Sequence, residues 1–316
     1  MNLERLFMPH LFLSPSDLEM GSVLEFFLRR QGFAEQASQV LRRALDEVID
    51  GIRTGRWSVA SLEKTEKTYI GTKVEILLKF EFELADGDRL DTRIEGVEVD
   101  IKWTVLKDWM IPQEAINELC LLVRIDDDKS KFWIGLIRAD KENLRTGQNR
   151  DRKVSISAAG KMKIRWIVEG GDLPINFLAT LPHETLSRIL SHRSGQARID
   201  ELLRLVQGRI IPRVAIETVA RQKDPMKRVR DARINLRAEG LLVLGHHQRH
   251  LVAHKAHHVR AQLVRPRPAQ HRLVERAQAV LVVGHILGRE HRHHPRQLLG
   301  PRGIQPANAD VRPAGK

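Results

Sequence analysis

Apolar residues recur at three- and four-residue steps through residues 23–50, at Val23, Leu24, Phe27 and Leu28 and again at Val40, Leu41, Leu45, Val48 and Ile49. That period predicts helix. "DGIRTGRW" follows, with Gly51 and Gly55 marking a turn. In "SLEKTEKTYIGTKVEILLKFEF", Ile70, Val74, Leu77 and Leu78 fall on one helical face, and the stretch reads as a helix leading towards a strand. Glu75 stands outside that stripe.

The period then changes to two. "VEVDIKWTV" alternates from Val97 to Val105: Val97, Val99, Ile101, Trp103 and Val105 form an apolar row, while Glu98, Asp100 and Lys102 share the other side. "RLDTRIEG", "LCLLVRI" and "FWIGLIRA" also read as strands, and a tight turn at Glu95-Gly96 joins the first of these to "VEVDIKWTV" as a hairpin. The predicted fold is α/β (α+β), a mixed sheet flanked by helices, over residues 23–168. Residues 1–22 form an N-terminal arm without assignment. "EGGDLPINFLATLPHE" (169–184), with two Gly and two Pro, reads as a linker.

From 185 to 246 the pattern is helical again. Ile199, Leu202, Leu203 and Val206 make a core stripe, and Gly208 is placed to end the helix. Pro212 suits the first turn of the next helix. Asp224-Pro225 reads as an N-cap followed by a first-turn proline, opening a helix that carries Lys227, Arg228, Arg230 and Arg233. Helix, short turn and basic helix suit a helix-turn-helix. "GLLVLG" (240–245) is the strand expected of a winged version.

Charge divides the chain differently. The net charge is +13, yet residues 247–316 alone hold 11 Arg and 2 Lys against 3 acids. This tail contains no Phe, Trp, Tyr, Met, Cys, Ser or Thr, and it holds 10 of the 14 His residues. Such a composition packs poorly. Its His pairs lack the spacing of a metal site, and a basic nucleic-acid-binding arm is a second reading. The preferred expectation is out-of-frame translation of a GC-rich gene, or a segment without fold. Resequencing around codon 246 tests it: an intact, expressed frame refutes the idea. No apolar run of about 18 residues is present, so no membrane span is expected. No signal peptide is read at the N-terminus, and the lone Cys120 reads as a buried thiol; a cytoplasmic protein is expected.

The chemistry centres on the hairpin. Acid-x-Lys also occurs at Asp127/Lys129 and Asp151/Lys153, but those pairs lie in polar, loop-like runs. Asp100 and Lys102 sit on a strand with an apolar back. With the turn near Gly96, Asp91 can face Asp100 across the pair. Two carboxylates that close repel each other unless a cation lies between them. Mg²⁺ takes oxygen ligands and keeps waters, so Asp91 and Asp100 are expected metal ligands, with Glu75 on the neighbouring helix as an outer ligand. Lys102 would then stabilise charge developing on a phosphodiester. This is the PD-(D/E)xK arrangement of metal-assisted nucleases. A structural ion-pair cluster remains the other reading at this point.

"DGIRTGRW", "KTEKTYIGTKVEI", "IEGVEVDIK", "SGQARIDEL", "QGRIIPRVAIETVA" and "MKRVR", in order from about residue 45 to 245, closely resemble the NaeI-type type II restriction endonucleases. The resemblance implies a restriction-endonuclease-like domain followed by a winged-helix DNA-binding domain. It also implies a catalytic set at Glu75, Asp91, Asp100 and Lys102, with Mg²⁺ as cofactor. A bacterial homodimer is implied, one that cuts double-stranded DNA at a GC-rich palindrome of the GCCGGC kind and is activated by a second bound copy of the site. Arg53, Arg56, Lys227, Arg228, Arg230 and Arg233 are the candidate DNA contacts. The similarity fades before about residue 40 and stops near His246. The alternative is a winged-helix DNA-binding protein whose nuclease-like domain is inactive. The five Trp residues are expected to pack in or beside the cores rather than stack on bases.

Overall fold

The structure, a computed structural model, describes residues 17–244 and 278–281. Helices α1 (Leu18–Leu28), α2 (Phe33–Ile49), α3 (Gly51–Thr54) and α4 (Lys64–Phe82) come first. Strands β1 (Ala85–Asp86), β2 (Thr92–Ile94), β3 (Val97–Thr104), β4 (Met110–Ile111), β5 (Leu119–Asp126), β6 (Lys131–Arg138), β7 (Leu144–Gln148) and β8 (Val154–Ile156) follow. After the short α5 (Ala158–Met162) and β9 (Arg165–Asp172), the chain forms α6 (His183–Ser191), α7 (Gly195–Leu205), α8 (Arg213–Ala220) and α9 (Pro225–Asn235). Two short strands close the described part, β10 (Leu241–Leu244) and β11 (Gln278–Leu281).

The main sheet has the order β1-β2-β3-β5-β6-β9. Only β3 and β5 run parallel; their neighbours are antiparallel. It is the expected mixed sheet with helices, compatible with a restriction-endonuclease-like fold. Period-two alternation gives it two faces. Val99, Ile101, Leu119, Leu121, Val123 and Ile125 face one core, which α1, α2 and α4 cover. Cys120, Leu122 and Ile137 face another, closed by the small sheet β4-β8-β7. The Cys120 thiol is free and buried, as expected of a core cysteine.

Several boundaries differ from the sequence reading. The single helix expected over 23–50 is two helices, because Gly32 adopts a left-handed φ of 72° between them. α1 begins before residue 23: Asp17 caps it by accepting the Met20 N–H, and Arg138 of β6 binds the same carboxylate. α4 runs unbroken through Phe82, so only a two-residue strand follows it. β3 ends at Thr104, and Val105 lies exposed beyond the apolar row. The stretch 169–184 is not linker throughout. Its first four residues belong to β9, and Phe177, Leu178 and Leu181 pack into the core of the helical half. There the glycines and prolines shape a strand end and turns instead of a free connection.

In that half, Ile199, Leu202, Leu203 and Val206 are buried together, as their spacing predicts. α7 stops at Leu205, and Gly208, with φ 66°, lies three residues beyond. Asp224 caps α9 through the Lys227 N–H at 3.0 Å, with Pro225 in the first turn. Arg198 is buried between α6, α7 and α8 and donates to the carbonyls of His192, Arg193, Val219 and Ala220. One guanidinium thus takes up carbonyls that two helix ends leave unpaired. β10 pairs with β11 in parallel, so these strands do not make the antiparallel hairpin of a wing. The tail expectations for the rest of 247–316, and those for 1–16, lie outside the described residues.

Close packing sets α4 against β3. A Cβ on Gly71 would lie 2.4 Å from the Trp103 ring. Gly71→Val should therefore cost about 1–3 kcal/mol of stability through overpacking. Gly147→Ala, with nothing within 4 Å of the added methyl, should stay within about 0.5 kcal/mol. Urea unfolding of the two variants checks this; equal midpoints would contradict the packing argument.

Candidate active site

The site starts from a two-residue turn. Glu95 and Gly96 have φ of 50° and 81°, a left-handed pair of the type I′ kind that matches strand twist. It sets Ile94 opposite Val97 and Thr92 opposite Val99. One step further out, the same register places Asp91 opposite Asp100. Instead of a backbone bond, the Asp91 carboxylate accepts the Ile101 N–H at 2.7 Å. Lys102 closes the group: its Nζ lies 2.7 Å from Asp100 Oδ1 and 3.4 Å from Asp91 Oδ2.

Asp100 is buried, and its Oδ2 has no hydrogen-bond partner. Burial pushes its carboxyl up to about 6, with Asp91 adding to the rise and the Lys102 ammonium opposing it. Burial works to lower Lys102, but Asp100 and Asp91 outweigh it and hold the ammonium above its ordinary range.

Glu75 reaches the group less directly. From α4 its carboxylate lies 3.7 Å from Lys79 Nζ, and Lys79 donates to the Asp91 carbonyl at 2.7 Å. Burial, then the Asp91 charge, raise the Glu75 carboxyl, and Lys79 and Lys102 oppose the rise. The structure thus brings Asp91, Asp100 and Lys102 into contact and leaves Glu75 one lysine away. Among the described residues, no group of three or more His, Cys, Asp and Glu is placed to hold a metal ion. The expected convergence of three acids is therefore met by two. The reason is local: Lys79 draws Glu75 along its own helix, one turn on.

Two residues given no role from sequence support the site. Lys79 links Glu75, Asp86 and the Asp91 carbonyl. Glu98 accepts the N–H groups of Asp88, Arg89 and Leu90 at 3.0, 3.1 and 2.9 Å, and Arg93 binds it as well. Those backbone bonds hold its carboxyl down at about 2. A fully ionised carboxylate thereby folds the loop that delivers Asp91. The signal was legible, since Glu98 shares a strand face with Asp100, but its partners are backbone groups that a sequence pattern does not show.

The candidate DNA contacts separate. Arg53 is exposed and paired with Asp50 at 2.8 Å. Arg56 is held by both oxygens of Glu66 at 2.6 and 2.8 Å. On α9, Arg230 reaches Asp224 at 3.3 Å and Arg228 reaches Asp231 at 3.5 Å. Lys227 forms no ion pair among the described residues. Arg233 turns inward, donating to the Val243 carbonyl of β10 at 3.1 Å, which points to a packing role. All five Trp side chains pack: Trp57, Trp103 and Trp166 against cores, Trp109 within one, and Trp133 under the Arg124 guanidinium at 4.1 Å.

The family model described as Restriction endonuclease NaeI matches residues 23–286. The chain belongs to the NaeI restriction endonuclease family. Over 251 residues it is 40% identical to the type II restriction enzyme NaeI of Lentzea aerocolonigenes, covering 76% of this chain and 78% of that protein. It is a type II restriction endonuclease, and all four proposed catalytic positions fall within the NaeI match. That match also runs past His246, where the resemblance read from the sequence ends. No helix among the described residues is long and apolar enough to cross a membrane.

The carboxyl of Asp100 ionises near 3.8 when exposed and near 6 in the fold. Between those values the folded chain holds a proton that the unfolded chain releases, so this group's contribution to stability falls as pH rises from about 4 to 6. In ¹³C-labelled protein the Asp100 carboxyl resonance should titrate with its midpoint near 6; a midpoint near 3.8 would refute its desolvation.

Proposed function

We propose that the chain hydrolyses phosphodiester bonds of double-stranded DNA with a divalent cation, Mg²⁺, at a GC-rich palindrome, and that a second bound copy of the site activates it. The observation that carries the reading is the Asp91–Asp100–Lys102 group: two facing carboxylates, one with an unpartnered buried oxygen, and an ammonium in contact with both. The donor set is all oxygen, which suits a hard cation. Asp91 and Asp100 would hold the ion, with Glu75 orienting a water at its margin. The ion would supply positive charge to the phosphoryl oxygens and favour ionisation of the attacking water.

The chain's own groups do the rest. The β2–β3 register fixes the two carboxylates against each other, and the Asp91 bond to the Ile101 N–H prevents its rotation. Lys102, kept fully protonated by its neighbours, offers its charge to the phosphate as negative charge grows there. Burial of Asp100 keeps competing water off that side of the group.

Beyond the nuclease half, α8 and α9 form a helix-turn-helix whose exposed basic face carries Lys227 and Arg230. That face supports the reading of a second DNA site on the helical domain. The homodimer follows from the palindrome, since a two-fold protein matches a two-fold site. The alternative, a DNA-binding protein with an inactive nuclease-like half, is set back by the intact Asp91, Asp100 and Lys102.

Plasmid DNA incubated with the full chain and Mg²⁺ should give discrete fragments, and faster cutting when a short duplex of the same site is added. A shifted but uncut band would favour the alternative. Lys102→Ala should abolish cutting and leave DNA binding nearly unchanged, with Lys102→Met, which keeps the stem, separating lost charge from lost packing. Lys227→Ala should weaken binding and flatten its salt dependence by roughly one counterion. Arg233→Ala should instead lower thermal stability; filter binding across salt and a melting curve check the pair.

A further inference from the structure

The small sheet β4-β8-β7 carries a feature that the reaction does not use. β7 turns Leu144 into the core shared with Cys120 and Leu122, but its next four residues, Arg145 to Gln148, are all exposed. A strand with successive side chains exposed packs against nothing on either side. Its side chains are also polar and built for hydrogen bonding: Arg145, Thr146 and Gln148. Met110, Arg145, Gln148, Asn149, Lys153 and Ser155 line a cleft of about 620 Å³ beside it.

The ribbon is held in shape. At its tip the Asn149 side chain accepts the N–H groups of Asp151 and Lys153 at 3.0 and 2.8 Å, and Gln113 donates to the Arg152 carbonyl at 2.6 Å. It also lies on the catalytic side of the main sheet. Cys120 and Leu122 are the β5 neighbours of Asp100 and Lys102, and they share a core with Leu144, Val154 and Ile156 of the ribbon.

Charge points to the partner. Residues 141–165 hold 8 Lys and Arg against 2 acids, whereas the other residues before 247 hold 32 against 35. The nuclease and helical halves thus have a net positive charge only through this segment. Lys161 and Lys163 are paired, with Asp108 and Glu142. Arg150 and Lys153 form no ion pair among the described residues, and the Arg145 charge acts on Asp108 beside Lys161. A polyanion is the ligand that such a surface fits.

We propose that the β7–β8 ribbon enters the major groove of the DNA duplex, with Arg145 and Gln148 meeting base edges and Arg150 and Lys153 meeting phosphates. This rests on the reading of the chain as a DNA-cleaving enzyme and names the element by which its nuclease half reads sequence. The major groove, about 12 Å wide, admits a two-stranded ribbon, and Arg and Gln are the side chains that pair bidentately with guanine and adenine edges there. Phosphate contacts from the tip would set the ribbon's depth.

A disulfide trap tests it. The one native cysteine is buried, its thiol pushed up by burial, so a cysteine introduced at an exposed position is the one that reacts. Full-length Gln148→Cys is mixed, in EDTA, with a pool of duplexes. Each carries a thiol tether on a major-groove base edge as a mixed disulfide, whose small thiol leaves as the protein sulfur bonds. Crosslinking is expected at 148 and absent in Gln36→Cys, which is exposed on α2 across the main sheet. Separately, Arg145→Ala should reduce discrimination between cut and uncut sequences by about 10- to 100-fold. Absence of the crosslink, or equal crosslinking at 36 and 148, overturns the ribbon proposal. The plasmid digest stands apart: cutting without a crosslink refutes the ribbon alone, and a crosslink without cutting leaves the ribbon and refutes the nuclease reading.

Discussion

The Lys102 ammonium between Asp91 and Asp100 is the interaction on which the nuclease half turns. Two carboxylates on facing strands repel, and one of them is buried. The arrangement persists because a cation touches both, at 2.7 and 3.4 Å. Its geometry descends from a turn. Left-handed Glu95 and Gly96 fix a register in which Asp91 meets Asp100, and a slip of one residue would send Lys102 to the opposite face. Glu98 then holds the incoming loop by its backbone, and Lys79 holds the Asp91 carbonyl from the helix side. The site is therefore a hairpin stabilised by charge rather than a pocket.

The two halves of the chain meet through close backbone approach. A Cβ on Gly51 of α3 would fall 2.2 Å from the Thr218 hydroxyl of α8. Arg42 of α2 pairs with Asp127 at 2.5 Å, and Asn176 donates to the Trp57 carbonyl and to that same Asp127. These contacts tie α8 to α3, and they tie α2 and the segment leading into the helical half to the β5–β6 turn, whose strands extend the sheet from β3. A duplex bound by α9 and one bound at the hairpin would thus act on a common frame, which gives the proposed activation by a second site a structural route.

Much of the fold was legible from period alone. The stripe at Ile70, Val74, Leu77 and Leu78, the alternation in β3 and the hairpin at Gly96 all stand in the structure. The elements that the pattern does not show share a cause: short or polar stretches carry too little hydrophobic period. β4, β7 and β8 hold two to five residues each, and β7 has a single buried side chain. The break at Gly32 and the strand inside 169–184 turn on backbone conformation and sheet edges, where glycine is compatible with more than one outcome.

The order of acids and lysine along the chain determined that Asp91, Asp100 and Lys102 would meet, because a two-residue turn converts spacing into register. It also determined the family, through motifs that persist in order over both halves. Tertiary structure alone decided that Lys79 reaches the Asp91 carbonyl, that Arg56 is occupied by Glu66 and that Arg233 faces inward. Each of these depends on which opposite charge or carbonyl the packed chain brings within reach. Those partners lie on different elements ten to twelve residues along the chain, and no local period encodes them.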